Sequence, residues 1–122
     1  EFEVIVLSDT FYQFVNPLMM QLDYPTLFCH QLLIDRNDLI VGYKLRQANG
    51  KQEAVKALQS LNFKVVAAGD SYNDIGMLKQ ADEGILFDPP KNVISDYPQF
   101  PVSTSYADFQ KKLEACKIKF EM

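Results

Sequence analysis

Short apolar runs alternate along the chain with segments of helical periodicity, and polar or glycine-bearing turns separate them. Phe2 to Leu7 reads as a buried strand with Ser8-Asp9-Thr10 as its polar tip. Phe11, Phe14, Val15, Leu18 and Leu22 then recur at helical spacing and predict a helix from Phe11 to Leu22 whose aromatic stripe faces the core. Pro17 falls inside that window, so the helix is kinked there or starts near it. Tyr24 to His30 reads as a turn and short strand. Gln31 to Asp35 and Leu39 to Arg46 read as two strands of a hairpin around Arg36-Asn37-Asp38. Asn49-Gly50 is a turn signal. Lys51 to Leu61 follows as a helix with Val55, Leu58 and Leu61 on one face.

The second half repeats the alternation. Val65 to Ala68 is a strand of small and β-branched residues, followed by Gly69-Asp70-Ser71-Tyr72-Asn73-Asp74 and a helix to about Gln80. Gly84 to Phe87 is a further strand. Pro89-Pro90-Lys91-Asn92 opens a short helix, and Tyr97 to Val102 is extended. Ser105 with Asp108 has the pattern of a helix N-terminus and leads into a last helix to about Ile118. Strands alternating with helices predict an α/β domain with a parallel sheet and right-handed crossovers.

The 122 residues suffice for one small domain, and 48% hydrophobic with 23% charged residues is ordinary globular composition. A net charge of −4 disfavours nucleic acid as a partner, since phosphate backbones are bound by Lys/Arg surfaces. It leaves room for a small phosphorylated substrate, which needs only a local cation. Cys29 and Cys116 are far apart and read as reduced thiols of a cytoplasmic protein. The single His30 offers no second histidine for a metal cluster and reads as a loop or packing residue. No stretch is long or apolar enough for a membrane-spanning helix. The chain lacks an initiating Met and opens directly into a strand, so the expectation is a fragment of a longer protein.

Three loops carry candidate chemistry. Ser8-Asp9-Thr10 offers hydroxyls and backbone N–H groups that can hold phosphate oxygens at a strand tip, or simply cap the next helix. Lys51 opens a helix, where a cation opposes the helix dipole; it is either a solvated surface lysine or the partner of a phosphoryl group and a carboxylate. The third loop is the most specific. Asp70 at a strand tip can ligate Mg²⁺, which takes one or two protein carboxylates plus waters and substrate oxygens. Asp74 lies one turn on and can orient Lys51 or a water on the metal. A capping box explains Ser71 and Asp74, but not Asp70, Asn73 and the glycine together.

In that order the loops resemble motifs II, III and IV of the haloacid-dehalogenase-like phosphatases. Leu7-Ser8-Asp9-Thr10-Phe11, Gly84-Ile85-Leu86-Phe87 and Phe100-Pro101 resemble its phosphoserine phosphatase / homoserine phosphotransferase branch. The resemblance runs along essentially the whole chain, residues 1–122. It implies a Rossmann-type parallel sheet with flanking helices and a β-hairpin. Ser8, with backbone groups near Asp9 and Thr10, would bind the phosphoryl group. Lys51 would stabilise its charge and that of an aspartyl-phosphate. Asp70 would ligate Mg²⁺, Asn73 would hold substrate or a metal-bound water, and Asp74 would position Lys51 and the metal shell. Asp9 stands where many phosphoserine phosphatases carry glycine, and it is expected to point away from the substrate or to meet an amino group.

The family's Asp-x-Asp pair, which holds its nucleophile and its general acid/base, is absent from the sequence, as is the cap. The fold is therefore expected to be incomplete. Without the nucleophile strand, the strands ending at Ser8 and at Asp70 are left with unpaired edges. The expected protein is the C-terminal part of a Mg²⁺-dependent phosphoserine phosphatase or phosphotransferase, inactive alone, whose partners are a phosphoserine-like substrate and its own missing N-terminal segment. Two other readings stay open: a non-catalytic phosphate- and metal-binding module, and another branch of the same superfamily, such as a sugar or nucleotide phosphatase or a cation-pump phosphorylation domain.

Overall fold

The computed structural model describes residues 2–122, and the chain divides into two compact units, Glu1–Gly50 and Lys51–Met122. In unit 1, β1 (Ile5–Phe11), α1 (Tyr12–Gln21), β2 (Thr26–Ile34) and β3 (Ile40–Lys44) form a three-stranded sheet in the order β1-β2-β3. β1 runs parallel to β2, and β2 forms an antiparallel hairpin with β3. The polar stretch predicted as a strand tip lies inside β1. Leu7 faces Phe28 and Phe11 faces His30, so Ser8-Asp9-Thr10 bows out of the ladder between them. Its hydroxyl and backbone atoms therefore belong to a bulge rather than to regular pairing.

α1 runs through Pro17 as a single helix. Its docking is polar: the Gln13 side chain accepts from the Leu32 N–H at 3.0 Å and donates to the Leu32 carbonyl at 3.2 Å. This satisfies both backbone groups of a buried β2 residue. The expected core stripe of α1 is corrected by the structure. Phe14, Leu18 and Leu22 are exposed, and Met19 is the buried residue. The periodicity correctly marked an apolar face, but among the described residues Phe14, Leu18 and Leu22 on it stay more than half exposed.

Unit 2 holds α2 (Gly50–Ser60), β4 (Val66–Gly69), a 3₁₀ turn at Tyr72–Asp74, α3 (Ile75–Gln80), β5 (Glu83–Phe87), α4 (Lys91–Asp96), β6 (Val102–Ser103) and α5 (Tyr106–Glu121). Its sheet is β4-β5-β6, parallel throughout. The core is Val55 of α2, Ile75, Met77 and Leu78 of α3, Ile85 and Leu86 of β5 and Val93 of α4, all buried. Leu61, expected on the buried face of the α2 helix, is exposed because the helix stops at Ser60 and the chain turns through Asn62 at positive φ. Asp82 fastens that turn to the sheet by accepting from the Val65 N–H at 2.9 Å and from Gln59 at 3.2 Å. The predicted parallel α/β architecture with flanking helices and a hairpin is present, and β1 and β4 each lie at the edge of their own sheet.

The expected cap of α5 is formed: Ser105 Oγ accepts from the Asp108 N–H at 3.1 Å. Ser105→Ala should cost about 1 kcal/mol of unit 2 stability. A urea midpoint unchanged from the parent would show that α5 adds nothing to the cooperative unit.

Candidate active site

Small residues let β4 end against its own following turn. A Cβ on Gly69 would lie 2.5 Å from Asp74 Cγ and 2.6 Å from its Oδ2, so only glycine leaves room for that carboxylate. Asp74 is buried, and both its oxygens are held by donors. Oδ1 accepts from Lys51 Nζ at 2.7 Å. Oδ2 accepts from the backbone N–H groups of Asp70 at 2.9 Å and Ser71 at 3.2 Å. Lys51 is itself largely buried, so this is an ion pair withdrawn from solvent. Burial pushes the Asp74 carboxyl up. The Lys51 hydrogen bond, the Asp70 N–H, the Lys51 charge and the Ser71 N–H outweigh it and hold the group below its ordinary value.

One carboxylate thus does two jobs. It closes the turn onto the backbone of Asp70 and Ser71, as a capping box would, and it fixes the ammonium of a lysine 23 positions earlier. Asp70 follows the last residue of β4 and is exposed. Asn73 is exposed beside it and accepts a hydrogen bond from Ser71 Oγ. Among the described residues no cluster of three or more His, Cys, Asp or Glu side chains is arranged to hold a metal.

The site loop has a support that the sequence reading missed. The Tyr72 hydroxyl donates to Asp96 and accepts from Asn92 at 3.1 Å, tying the turn to α4. Its ring also meets Tyr97 at 6.2 Å. These partners lie twenty or more residues away, and no local pattern connects them. The Asp96 hydrogen bond and charge, with some burial, push the Tyr72 phenol up.

In unit 1 the predicted phosphate loop is locally ordered. Ser8 Oγ accepts from the Thr10 N–H at 3.2 Å. Asp9 lies 3.5 Å from His30 Nε2, while His30 Nδ1 accepts from the Arg46 N–H at 2.9 Å. The acceptor role of Nδ1 puts the imidazole proton on Nε2, facing Asp9. His30 is thus a structural hinge pin between β2 and the chain after β3. Asp9 is turned to the His30 imidazole rather than to an amino group. The structure joins Ser8, Asp9 and Thr10 in one bulge, places Asp70, Asn73 and Asp74 in one turn, and brings Lys51 of α2 onto that turn through Asp74.

Residues 38–88 match the haloacid dehalogenase-like hydrolase family. The phosphoserine phosphatase ThrH of Pseudomonas aeruginosa is 54% identical over 111 residues, which are 91% of this chain and 54% of that protein. A phosphoserine phosphatase of Pseudomonas syringae pv. tomato is 51% identical over 111 residues, 91% of this chain and 47% of its own length. A crystal structure of phosphoserine phosphatase in apo form superposes with a TM-score of 0.66 at 25% identity, over 84% of this chain and 54% of that one. The chain is therefore similar, in sequence and in α/β fold, to the haloacid-dehalogenase-like phosphoserine phosphatases. It spans about half the length of the curated relatives it matches.

Proposed function

We propose that this chain carries the lysine and Gly-Asp half of a phosphoryl-transfer site, within a Mg²⁺-dependent phosphoserine phosphatase or phosphotransferase. The buried 2.7 Å pair between Lys51 Nζ and Asp74 Oδ1, directly beside the exposed Asp70 at the end of β4, carries the reading. A lysine held this way cannot wander into solvent. Its charge is delivered at a fixed point next to a carboxylate-bearing strand end, which is where open α/β sheets bind ligands.

The donor set suits Mg²⁺. The ion needs one or two carboxylates and fills its remaining positions with water and substrate oxygens, so the lack of a three-acid cluster is no obstacle. Asp70 is the carboxylate left open to ligate it, with Asp74 completing the shell from behind by fixing Lys51 and the turn. Bound there, the ion would neutralise charge on a transferring phosphoryl group. Lys51 adds a second positive charge on the same group, and Asn73 offers an amide to substrate or to a water. Within unit 1, Ser8, Asp9 and Thr10 offer hydroxyls and backbone N–H groups of the kind that hold phosphate oxygens. Phosphoryl transfer is positioning plus charge neutralisation, and these are the parts such a site needs. The aspartate that would form the aspartyl-phosphate comes from outside these 122 residues, since no Asp-x-Asp occurs in them. The curated relatives are named phosphoserine phosphatases; the proposed substrate is accordingly phosphoserine, and the proposed acceptor is water or homoserine.

A chimera tests this. The matching 111 residues of the Pseudomonas aeruginosa relative are exchanged for those of this chain, and phosphate release from phosphoserine is measured with and without Mg²⁺. The chimera should turn over only with Mg²⁺, the 122-residue chain alone should not, and Lys51→Ala in the chimera should lower kcat by about 10²-fold or more. Turnover by the chain alone would sink the half-site reading. A folded but inactive chimera, or an active Lys51→Ala form, would sink the residue assignment.

A further inference from the structure

β3 is the outer strand of the unit 1 sheet, and among the described residues no strand pairs with its far side. Leu39, Ile40, Val41, Tyr43 and Leu45 are all more than half exposed. Leu33 pairs with Gly42 and Ile34 with Ile40, so Val41 has no cross-strand partner in the hairpin. Edge strands ordinarily guard themselves with a charge, a proline, a bulge or a covering element, and β3 has the bulge at Val41. Ile40-Val41-Gly42-Tyr43 has no charge and no proline, and its side chains stand open.

The charges lie at the two ends of this apolar stretch and have opposite sign. Asp35 and Asp38 flank the turn with Arg36 between them, and Lys44 and Arg46 close the other end. Arg46 is held in place there, its guanidinium 4.3 Å from the centre of the Phe28 ring. Two such strands laid antiparallel put the acidic end of one against the basic end of the other, whereas laid parallel they put like against like. A strand that is its own complement in this way meets the requirement for an isologous contact. Gly42 sits at the middle of this stretch.

We propose that β3 pairs antiparallel with β3 of a second copy of this chain about a two-fold axis at Gly42. The two unit 1 sheets then continue into one. In that register Val41 of one copy lies opposite Tyr43 of the other, Leu39 opposite Leu45, and Asp38 opposite Arg46. The contact buries the open apolar edge and satisfies its outward N–H and C=O groups. It is independent of the phosphoryl-transfer reading.

Light scattering on the purified chain at micromolar concentration should give twice the 14.0 kDa chain mass. Val41→Lys places a charge on a side chain that is already exposed, so the circular dichroism spectrum should not change, and the mass should fall to that of one chain. Gly42→Cys should form a disulfide-linked dimer on mild oxidation, because directly opposed antiparallel residues have Cα atoms about 4.5–5.5 Å apart, within disulfide reach. Leu61→Cys, on an exposed turn of unit 2, should not cross-link above the parent chain. A monomeric parent chain would overturn the proposal. So would a larger mass that Val41→Lys does not lower, or a Gly42→Cys form that cross-links no better than the parent.

Discussion

Asp74→Ala is expected to destabilise unit 2 by about 3–5 kcal/mol, the range for removing one partner of a buried ion pair. The loss has two parts. Lys51 keeps its charge in a largely buried position with its counter-ion gone. The N–H groups of Asp70 and Ser71 lose the oxygen they share, and the end of β4 loses the bond that sets its turn. Hydrogen exchange at the amides of Leu78, Ile85 and Leu86 reports this loss without interference from unit 1. A change below about 0.5 kcal/mol, the level of an ordinary surface substitution, would mean the pair is not formed. Acid should reproduce part of the effect. Asp74 is held below its ordinary carboxylate value in the folded protein, so its contribution is fully present above that ordinary value. It is lost as pH falls through the lowered folded-state value. Stability measured against pH should therefore fall more steeply in the parent than in Asp74→Ala on the acid side of about pH 4. Equal slopes would contradict the pairing.

Gly84→Ala should also weaken unit 2, by about 1–3 kcal/mol, through overpacking. Gly84 is buried in β5 directly under α3, and an added Cβ would lie 2.7 Å from the Leu78 carbonyl oxygen and 3.0 Å from Leu78 Cβ. Neither neighbour is a flexible side-chain end, and Leu78 is itself among the most buried residues of the core. The strand and helix must therefore move apart, and the packing of Ile85 and Leu86 goes with them. Gly50→Ala is the control, since nothing lies within 4 Å of a Cβ there. Its effect should stay within about 0.5 kcal/mol. Similar urea midpoints for the two variants would show that α3 shifts freely over β5.

Much of the site was readable because its chemistry is local. Gly69, Asp70, Ser71, Asn73 and Asp74 fall within six positions, and an apolar strand running into a capping pattern has few ways to fold. The turn that results follows from steric and hydrogen-bonding rules acting over those few residues. The same holds for Ser105 and Asp108 at the start of α5, and for the hairpin turn, where Asp35 takes the N–H groups of Asn37 and Leu39. Helix and strand ends departed from expectation where tertiary contacts overrode the pattern. β1 continues to Phe11 through three polar residues because β2 holds it on both sides of the bulge.

The sequence by itself determined the alternation of strands and helices, the strand-end carboxylate turn, the caps and the candidate chemistry, because each depends on residues within one or two turns of each other. Tertiary structure alone decided which long-range partners meet. It put Gln13 on the Leu32 backbone, tied Tyr72 to Asn92 and Asp96, and packed Leu78 so closely on Gly84 that no side chain fits. It also divided the strands into two ladders with β1, β3 and β4 among their edges, and it left Phe14, Leu18 and Leu22 of the apolar face of α1 exposed. Periodicity states that a face is apolar, but what covers that face depends on where distant segments of chain are carried, and no local rule encodes that.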